Sequence, residues 1–439
     1  MRSLLLALGA ALLLGACAQT PRPVSSEAAP AAAACPSGIA EGARCLSGQD
    51  SAGAFYLIAI PRDWNGDLVL HAHGGPALGE PRPQRAVEDL QRWSVMLKAG
   101  YAWAGSTFRQ GGVAVRAAAE DTERLRRIFV QHVAVPKRTV LHGQSWGAGV
   151  AAVGAEMFTA GKPYDAVLLS SGVLGGGTRS YDFRLDLRVV YQALCNNHPR
   201  PDEPAYPLWM GLPVDSTLTS AQLAQRTGEC LGLGRPAAQR TPEQQRRLKT
   251  VVDVIGIPES SIAGHMNWAT FHFRDVVQHR TGGKNPFGNI GVRYRGSPDD
   301  AALNAQVLRY AAEPQAVARF GADTDPGGRI PVPVLTVHGV NDAVAFVELE
   351  SVFRDTMVRG GSGERLVQAF TDFAEHSYMA DPVYPALLAA LLDWAGNGAK
   401  PTPAAVAQRC AALEARFGPG CRFLPDYRPA PLASRVPPR

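Results

Sequence analysis

Gly143-Gln144-Ser145-Trp146-Gly147 sets a serine between two glycines, after the strand-like run Arg138 to His142 and before the small-residue, helix-like run Trp146 to Ala160. In that strand-turn-helix setting the G-x-S-x-G pattern carries chemistry. The glycines permit a tight bend that pushes the hydroxyl clear of a sheet, and the helix N-terminus that follows favours developing negative charge. A serine hydroxyl is not ionised near neutral pH, so a nucleophilic Ser145 needs a base. Downstream, Val332 to Val337 reads as a buried strand leading into His338-Gly339-Val340-Asn341-Asp342. The apolar segment Leu366 to Phe373 leads into Ala374-Glu375-His376-Ser377. Asp342 therefore stands just past one strand end and His376 in the loop after the next, as an orienting carboxylate and a general base require. His338, His272, His265, His142 and His73 compete for the role of base, and position alone singles out His376. Asn341 and Glu375 neighbour the expected carboxylate and base but fit the order less well.

Acyl transfer at such a serine also needs donors for an oxyanion. The backbone N–H of Trp146 is one by the mechanics of the motif. The second is expected from the loop after an early strand, where His73-Gly74-Gly75-Pro76 stands, with Gly75 the first choice and Gly74 the second. Glycines let backbone N–H groups point inward with no side chain in the way.

The elements that must hold these residues alternate. Ala54 to Pro61 and Asp67 to His73 read as strands joined through Asp63-Trp64-Asn65-Gly66, and the Asn-Gly pair predicts a hairpin. Val87, Leu90, Trp93 and Leu97 recur at helical spacing, closed by Gly100. A strand over Tyr101 to Thr107 follows, then a helix from about Ala118 to Val133 with Glu120 and Asp121 expected in its first turn, as the helix dipole prefers. After the serine, Tyr164 to Ser170 is another strand. Strands alternating with helices imply an α/β fold with a doubly wound, mostly parallel sheet. About 400 residues follow the leader described below, more than one core usually serves. The alternation stops after Ser171 and resumes at Pro331. The intervening stretch, 173–329, is too long for a structureless loop and is expected to be an inserted, mainly helical cap that gates the substrate. Core segments are expected over 35–172 and 330–400, with a tail over 401–439 carrying one more amphipathic helix from Pro403 to Phe417.

His73-Gly74-Gly75-Pro76, the elbow with Trp146 after Ser145, and Asp342 and His376 in that chain order resemble the α/β-hydrolase superfamily. The likeness is greatest to its prolyl-aminopeptidase-like branch. It covers about 52–172 and 330–398 and stops at the cap. Ala77 follows Pro76 where that branch has a further glycine, and Gln144 stands where its elbow has glycine. The entry Ile60-Pro61-Arg62-Asp63-Trp64-Asn65-Gly66 is similar to secreted esterases of the tannase and polyester-hydrolase kind. The resemblance implies an α/β-hydrolase fold and hydrolysis of a carboxylic ester, small or polymeric, through an acyl-enzyme on Ser145, with no metal or organic cofactor.

Two other readings stay open. An aminopeptidase using the same three residues would need an acidic pocket, for which Glu203, Glu229, Glu259 and Glu313 are candidates. A non-catalytic envelope lipoprotein would bind a hydrophobic ligand on the same scaffold. Trp209, Trp268, Phe271 and Phe273 are aromatic enough to line an apolar pocket, although such residues more often pack a core.

Met1 and Arg2 precede an apolar run, Leu4 to Leu14, and then Leu14-Gly15-Ala16-Cys17. This is the layout of a signal peptide over 1–16, and the run is about half the ~20 residues of a spanning helix. Leu-Gly-Ala-Cys resembles a bacterial lipobox, which implies an acylated Cys17, and Ala18 after it fits transfer to the outer membrane. The Pro/Ala/Ser-rich 17–34 reads as a flexible tether. Export places the six remaining cysteines in an oxidising compartment, where local clustering favours Cys35 with Cys45, Cys195 with Cys230 and Cys410 with Cys421. No Cys or His spacing suggests zinc. The formal charge of +5 comes without a Lys/Arg block or basic-aromatic stripe, which excludes a nucleic-acid footprint. The expected contact with a membrane is through the lipid anchor alone, and nothing in the chain speaks to an oligomeric state.

Overall fold

The computed structural model describes residues 27–439. The expected signal peptide, the expected lipidation at Cys17 and the first part of the expected tether lie outside the described residues. Nine strands form one sheet: β1 (Ala31–Ala33), β2 (Arg44–Gln49), β3 (Phe55–Ile60), β4 (Asp67–Ala72), β5 (Ala102–Ser106), β6 (Arg138–Gln144), β7 (Ala166–Ser170), β8 (Val334–Gly339) and β9 (Leu366–Thr371). Their order is β1-β2-β3-β5-β4-β6-β7-β8-β9. β1, β2, β3 and β5 pair antiparallel, and β5 to β9 form a parallel run.

Parallel strands covered on both faces read as continuous apolar runs, and every residue of β4, β5, β7 and β8 is buried. The period of two still sorts them. Val69, Val140 and Leu168 join Trp93, Trp103 and Leu387 on one face, under the helices Gln84–Arg92 and Val383–Asn397. Leu68, Leu70, Leu141 and Leu169 join Ile128, Phe129 and Phe353 on the other, under Val115–His132, Trp146–Met157 and Leu349–Arg359.

Three sequence expectations change. The Asn-Gly turn makes no hairpin, because β5 lies between β3 and β4. Asn65 instead accepts from the Asp67 N–H with its side chain, and its own N–H bonds to Gly100 O, so the turn docks on the end of the neighbouring crossover. The helix expected from Ala118 starts at Val115, so Glu120 and Asp121 fall beyond its first turn. Its N-terminal N–H groups on Val115 and Arg116 are taken by Asp323, from far along the chain. Asp121 is buried and pairs with Arg109 and Arg124 at 3.0 and 2.7 Å. The tether does not run to Ala34: Ala31–Ala33 add an edge strand to β2, and Glu27 bonds Ser51.

Between β7 and β8 the chain forms helices Asp182–Cys195, Ser220–Leu231, Pro242–Ile255, Glu259–Asn267, Asp300–Gln306 and Pro314–Thr324. They enclose a core of their own that includes Leu187, Tyr191, Val251, Met266 and Phe273. Cys195–Cys230 joins the first two helices, Cys35–Cys45 clasps the sheet edge, and Cys410–Cys421 closes the turn after Pro403–Phe417. The tail reaches further than that last pair. Leu424 N–H bonds Phe370 O on β9, Arg435 lies 4.2 Å over the Phe346 ring, and Arg439 meets Asp186 among the cap helices at 2.6 Å. Among the described residues no helix is long and apolar enough to cross a membrane.

The return from the cap to β8 is pinned by Glu156, whose carboxylate accepts the N–H groups of Gly327, Gly328 and Arg329 at 2.8, 2.6 and 3.3 Å. Glu156→Ala is expected to lose about 1–3 kcal/mol in urea unfolding by stranding those donors. Glu156→Gln, which keeps one acceptor, should lose less.

Candidate active site

β6 ends at Gln144, and Trp146–Met157 begins with the single residue Ser145 between them. Only a very close approach allows this. A methyl on Gly143 would strike the backbone at Gly147 and Ala148, and one on Gly147 would strike the carbonyls of Ala72 and His73 at the end of β4. Ser145 absorbs the bend with φ 56° and ψ −120°, a region that costs a non-glycine residue of order 1–3 kcal/mol. Its N–H and C=O are held by Ser170 O and Val173 N at 2.9 and 3.0 Å.

The strand ends bring the other two groups to it. His376 Nε2 lies 2.6 Å from Ser145 Oγ, and His376 Nδ1 lies 2.7 Å from Asp342 Oδ2. A Nδ1–H donated to the carboxylate leaves Nε2 to accept the serine proton, so the partners select the tautomer. Asp342 Oδ1 accepts from the N–H groups of Val344 and Ala345, which fixes the carboxylate plane. Burial alone would raise the Asp342 carboxyl. The charge of His376 and hydrogen bonds from His338 and His376 outweigh it and hold the group well below the usual carboxylate range. The site is nearly closed, with Ser145 7 % exposed.

The competing histidines do other work. His265 donates to Ala343 O and His272 to Pro76 O, while His142 faces His71 and Ser170 in the core. Burial pushes His73, His142 and His265 down to about 3 and His272 to about 4, so all are neutral at physiological pH. His338 is the opposite case. It lies 3.4 Å from Asp342 and 3.2 Å from Glu350, and its Nε2–H donates to Ala345 O. Burial opposes its charge, but the hydrogen bonds to the two carboxylates win and push it up to about 10. Asn341 and Glu375 point elsewhere, to Asp372 and to the Ala374 N–H.

Of the expected oxyanion donors, Trp146 opens the helix after Ser145, and Gly75 takes φ 66° with open space where a side chain would be. Gly74 packs against the Gln144 side chain, which a methyl would strike. Gln144 also donates to His376 O at 3.2 Å, so it links the glycine loop, the elbow and the base loop. Its signal in the sequence is the large polar residue where the resembling branch has glycine. A cavity of about 400 Å³, walled in part by His73, Pro76, Arg85, Phe108 and Trp146, lies beside this loop; Ser145 does not line it.

The four glutamates weighed as an amine pocket are each engaged: Glu203 by Arg226, Glu229 by Arg200, Glu259 by Arg240 and Glu313 by Lys284. Phe273 stacks on Phe287 at 4.0 Å inside the cap core, and Trp209 and Phe271 pack there too. Trp268 stacks on His272. Among the described residues, no group of three His, Cys, Asp or Glu side chains is placed to hold a metal ion.

No family model and no curated protein matches the chain. Solved structures with a similar trace include the cell-wall-degrading esterase LipA of Xanthomonas oryzae, at 13% identity over 85% of this chain and 89% of that one, TM-score 0.36. Feruloyl esterase B of Aspergillus oryzae matches at 14% identity over 82% and 81%, TM-score 0.39. A Pyrococcus furiosus esterase matches at 12% over 75% and 82%, TM-score 0.37. These likenesses are remote, and the fold is read from the chain's own strand order, elbow and helical insertion. On those features this chain has the α/β-hydrolase fold.

Proposed function

We propose that this protein is an exported serine hydrolase that cleaves carboxylic esters through an acyl-enzyme. The observation that carries the reading is the unbroken hydrogen-bond relay from Ser145 Oγ through His376 to Asp342, at a strained elbow opening a helix. In this reading Ser145 attacks the ester carbonyl as His376 Nε2 takes its proton. Asp342 steadies the resulting imidazolium, and the tetrahedral oxyanion is received by the N–H of Trp146 with that of Gly75 or Gly74. His376 returns the proton to the departing alcohol, and water then repeats the sequence to free the acid. The three disulfides fit an oxidising compartment. An acyl anchor on Cys17 would hold the enzyme at the outer membrane by a tether ending near Glu27.

Initial rates on p-nitrophenyl esters of short to medium acyl chains test the reading. Turnover is expected for the chain from Ala18 and should fall by about 10⁴-fold or more in Ser145→Ala. Equal rates in the two proteins would sink the assignment. Asp342→Asn should lower kcat by about 10³- to 10⁴-fold while the fold is kept, because the amide favours the wrong imidazole tautomer.

His338 gives a pH signature independent of turnover. Its folded value is raised from 6.5 to about 10, so its stabilisation is full below pH 6.5 and is lost as pH rises through 10. The urea midpoint of the wild type should therefore decline across that window. His338→Gln should start lower near pH 6 and lack that decline, and parallel profiles would show that His338 is not held charged.

A further inference from the structure

Arg184 lies at the start of the cap helix Asp182–Cys195 and is buried, with 4 % of its surface exposed. Among the described residues the one hydrogen bond of its side chain runs from Nη1 to Ser180 O, at the end of the short preceding helix Gly177–Ser180, and its buried Nε has no acceptor. No Asp or Glu among the described residues lies within ion-pair distance of it. Arg200, Arg226 and Arg240 each hold a carboxylate, and the buried Arg188 on the same helix bonds instead to Gly211 O, Ala269 O and Thr270 Oγ1.

Three aromatic rings surround the guanidinium, those of Phe183, Trp268 and Tyr181, at 4.7, 4.7 and 5.1 Å. Ring faces satisfy the face of a cation. They do not serve its in-plane N–H donors, of which only Nη1 has a protein acceptor. Burial pushes the group down to about 10, so it is still charged at neutral pH. A buried, unpaired charge of this kind costs stability.

The cage is fastened to both loops of the site. Trp268 stacks on His272 at 4.3 Å and 9°, across a π-helical turn, and His272 donates to Pro76 O in the glycine loop. Phe183 packs on His265 at 4.9 Å and on Phe346 at 4.5 Å, and His265 donates to Ala343 O beside Asp342. The rings around the cation are thus linked through His272 to the loop of Gly74 and Gly75 and through His265 to the loop of Asp342. Its Nε is sealed from water without an acceptor, whereas Nη2, which has no protein partner, is not sealed.

Building on the ester-hydrolase reading, we propose that Arg184 is the specificity residue of this site and binds a carboxylate of the substrate. The favoured esters are then anionic, derived from a dicarboxylic acid or from a carboxylated alcohol or phenol. Arg184 presents paired N–H donors to a carboxylate, which adds orientation as well as charge. The reaction itself is unchanged: the second carboxylate is neither formed nor broken, and it sets which ester is held against Ser145.

The test pairs turnover with binding. Rates on mono-p-nitrophenyl succinate and 4-acetoxybenzoate are compared with those on p-nitrophenyl butyrate and phenyl acetate, in wild type, Arg184→Met and Arg184→Lys. At least one anionic ester should be preferred over its neutral counterpart. Arg184→Met should cut that preference by about 10- to 100-fold, mainly through KM, and Arg184→Lys should restore part of it. Succinate and 4-hydroxybenzoate are titrated separately into Ser145→Ala, read by tryptophan fluorescence, since Trp268 lies under the guanidinium. Saturable binding that is lost in Ser145→Ala/Arg184→Met supports the proposal even if no ester is turned over, an outcome that would overturn the hydrolase reading alone. Turnover of neutral esters with no anionic preference and no binding overturns the Arg184 proposal and leaves the hydrolase reading standing. A lower melting temperature in both Arg184→Met and Arg184→Lys, with the ester preference unmoved, would mark the residue as structural and also overturn it.

Discussion

The helix after Ser145 lies so close to the end of β4 that nothing larger than hydrogen fits between them at Gly147. Most of the site follows from that contact. With Gly143 equally crowded by the returning helix, the chain has one way to turn, and Ser145 takes the positive φ that the turn demands. The strain is sustained because neighbouring strands over-determine it, Ser170 on one side and the chain after β7 on the other. Register along the parallel sheet then sets the remaining distances. β8 and β9 pair from Val334 with Leu366 to Gly339 with Thr371, which levels the loops bearing Asp342 and His376. A serine hydroxyl, an imidazole and a carboxylate from three segments meet at hydrogen-bond distance, with the Val344 and Ala345 N–H groups of the loop fixing the carboxylate.

Charge at the site is arranged in a row. Asp342 faces His376 on one side and His338 on the other, and Glu350 backs His338. A carboxylate in a dry interior would ordinarily take up a proton. Here the charge of His376 on one side and the hydrogen bond from His338 on the other favour the anion. The two carboxylates beside His338, Asp342 and Glu350, in turn raise its own value.

Periodic patterns and strict local motifs were readable from the residues: the buried strands, the elbow, the helix Pro403–Phe417, and Ser145, Asp342 and His376 as a group. Each depends on a few adjacent positions or on the order of elements in an open sheet. What escaped depends on distant partners. The start of the helix at Val115 is set by Asp323, a cap residue with no mark in the sequence around Ala118. Asn-Gly spelled a hairpin, but the pairing of β3 with β5 is decided by where the next strand finds room. His338 looked like one more competing histidine, because the carboxylate of Glu350 comes from the following helix. Arg184 carried no signal at all. What distinguishes it is the ring of aromatic faces around an Nε with no acceptor, which exists only in three dimensions.

The tail ties these layers together. After the helix Pro403–Phe417 it adds Phe423 and Leu424 beside β9, tucks Val436 into the cap core and sets Arg439 against Asp182 and Asp186. Those two aspartates begin the same helix that carries Arg184. Asp186 is buried and Asp182 half-buried, and Arg439 is the cation that meets both. The seat of the cap helix over the sheet is thus completed by residues more than 250 positions along the chain from it.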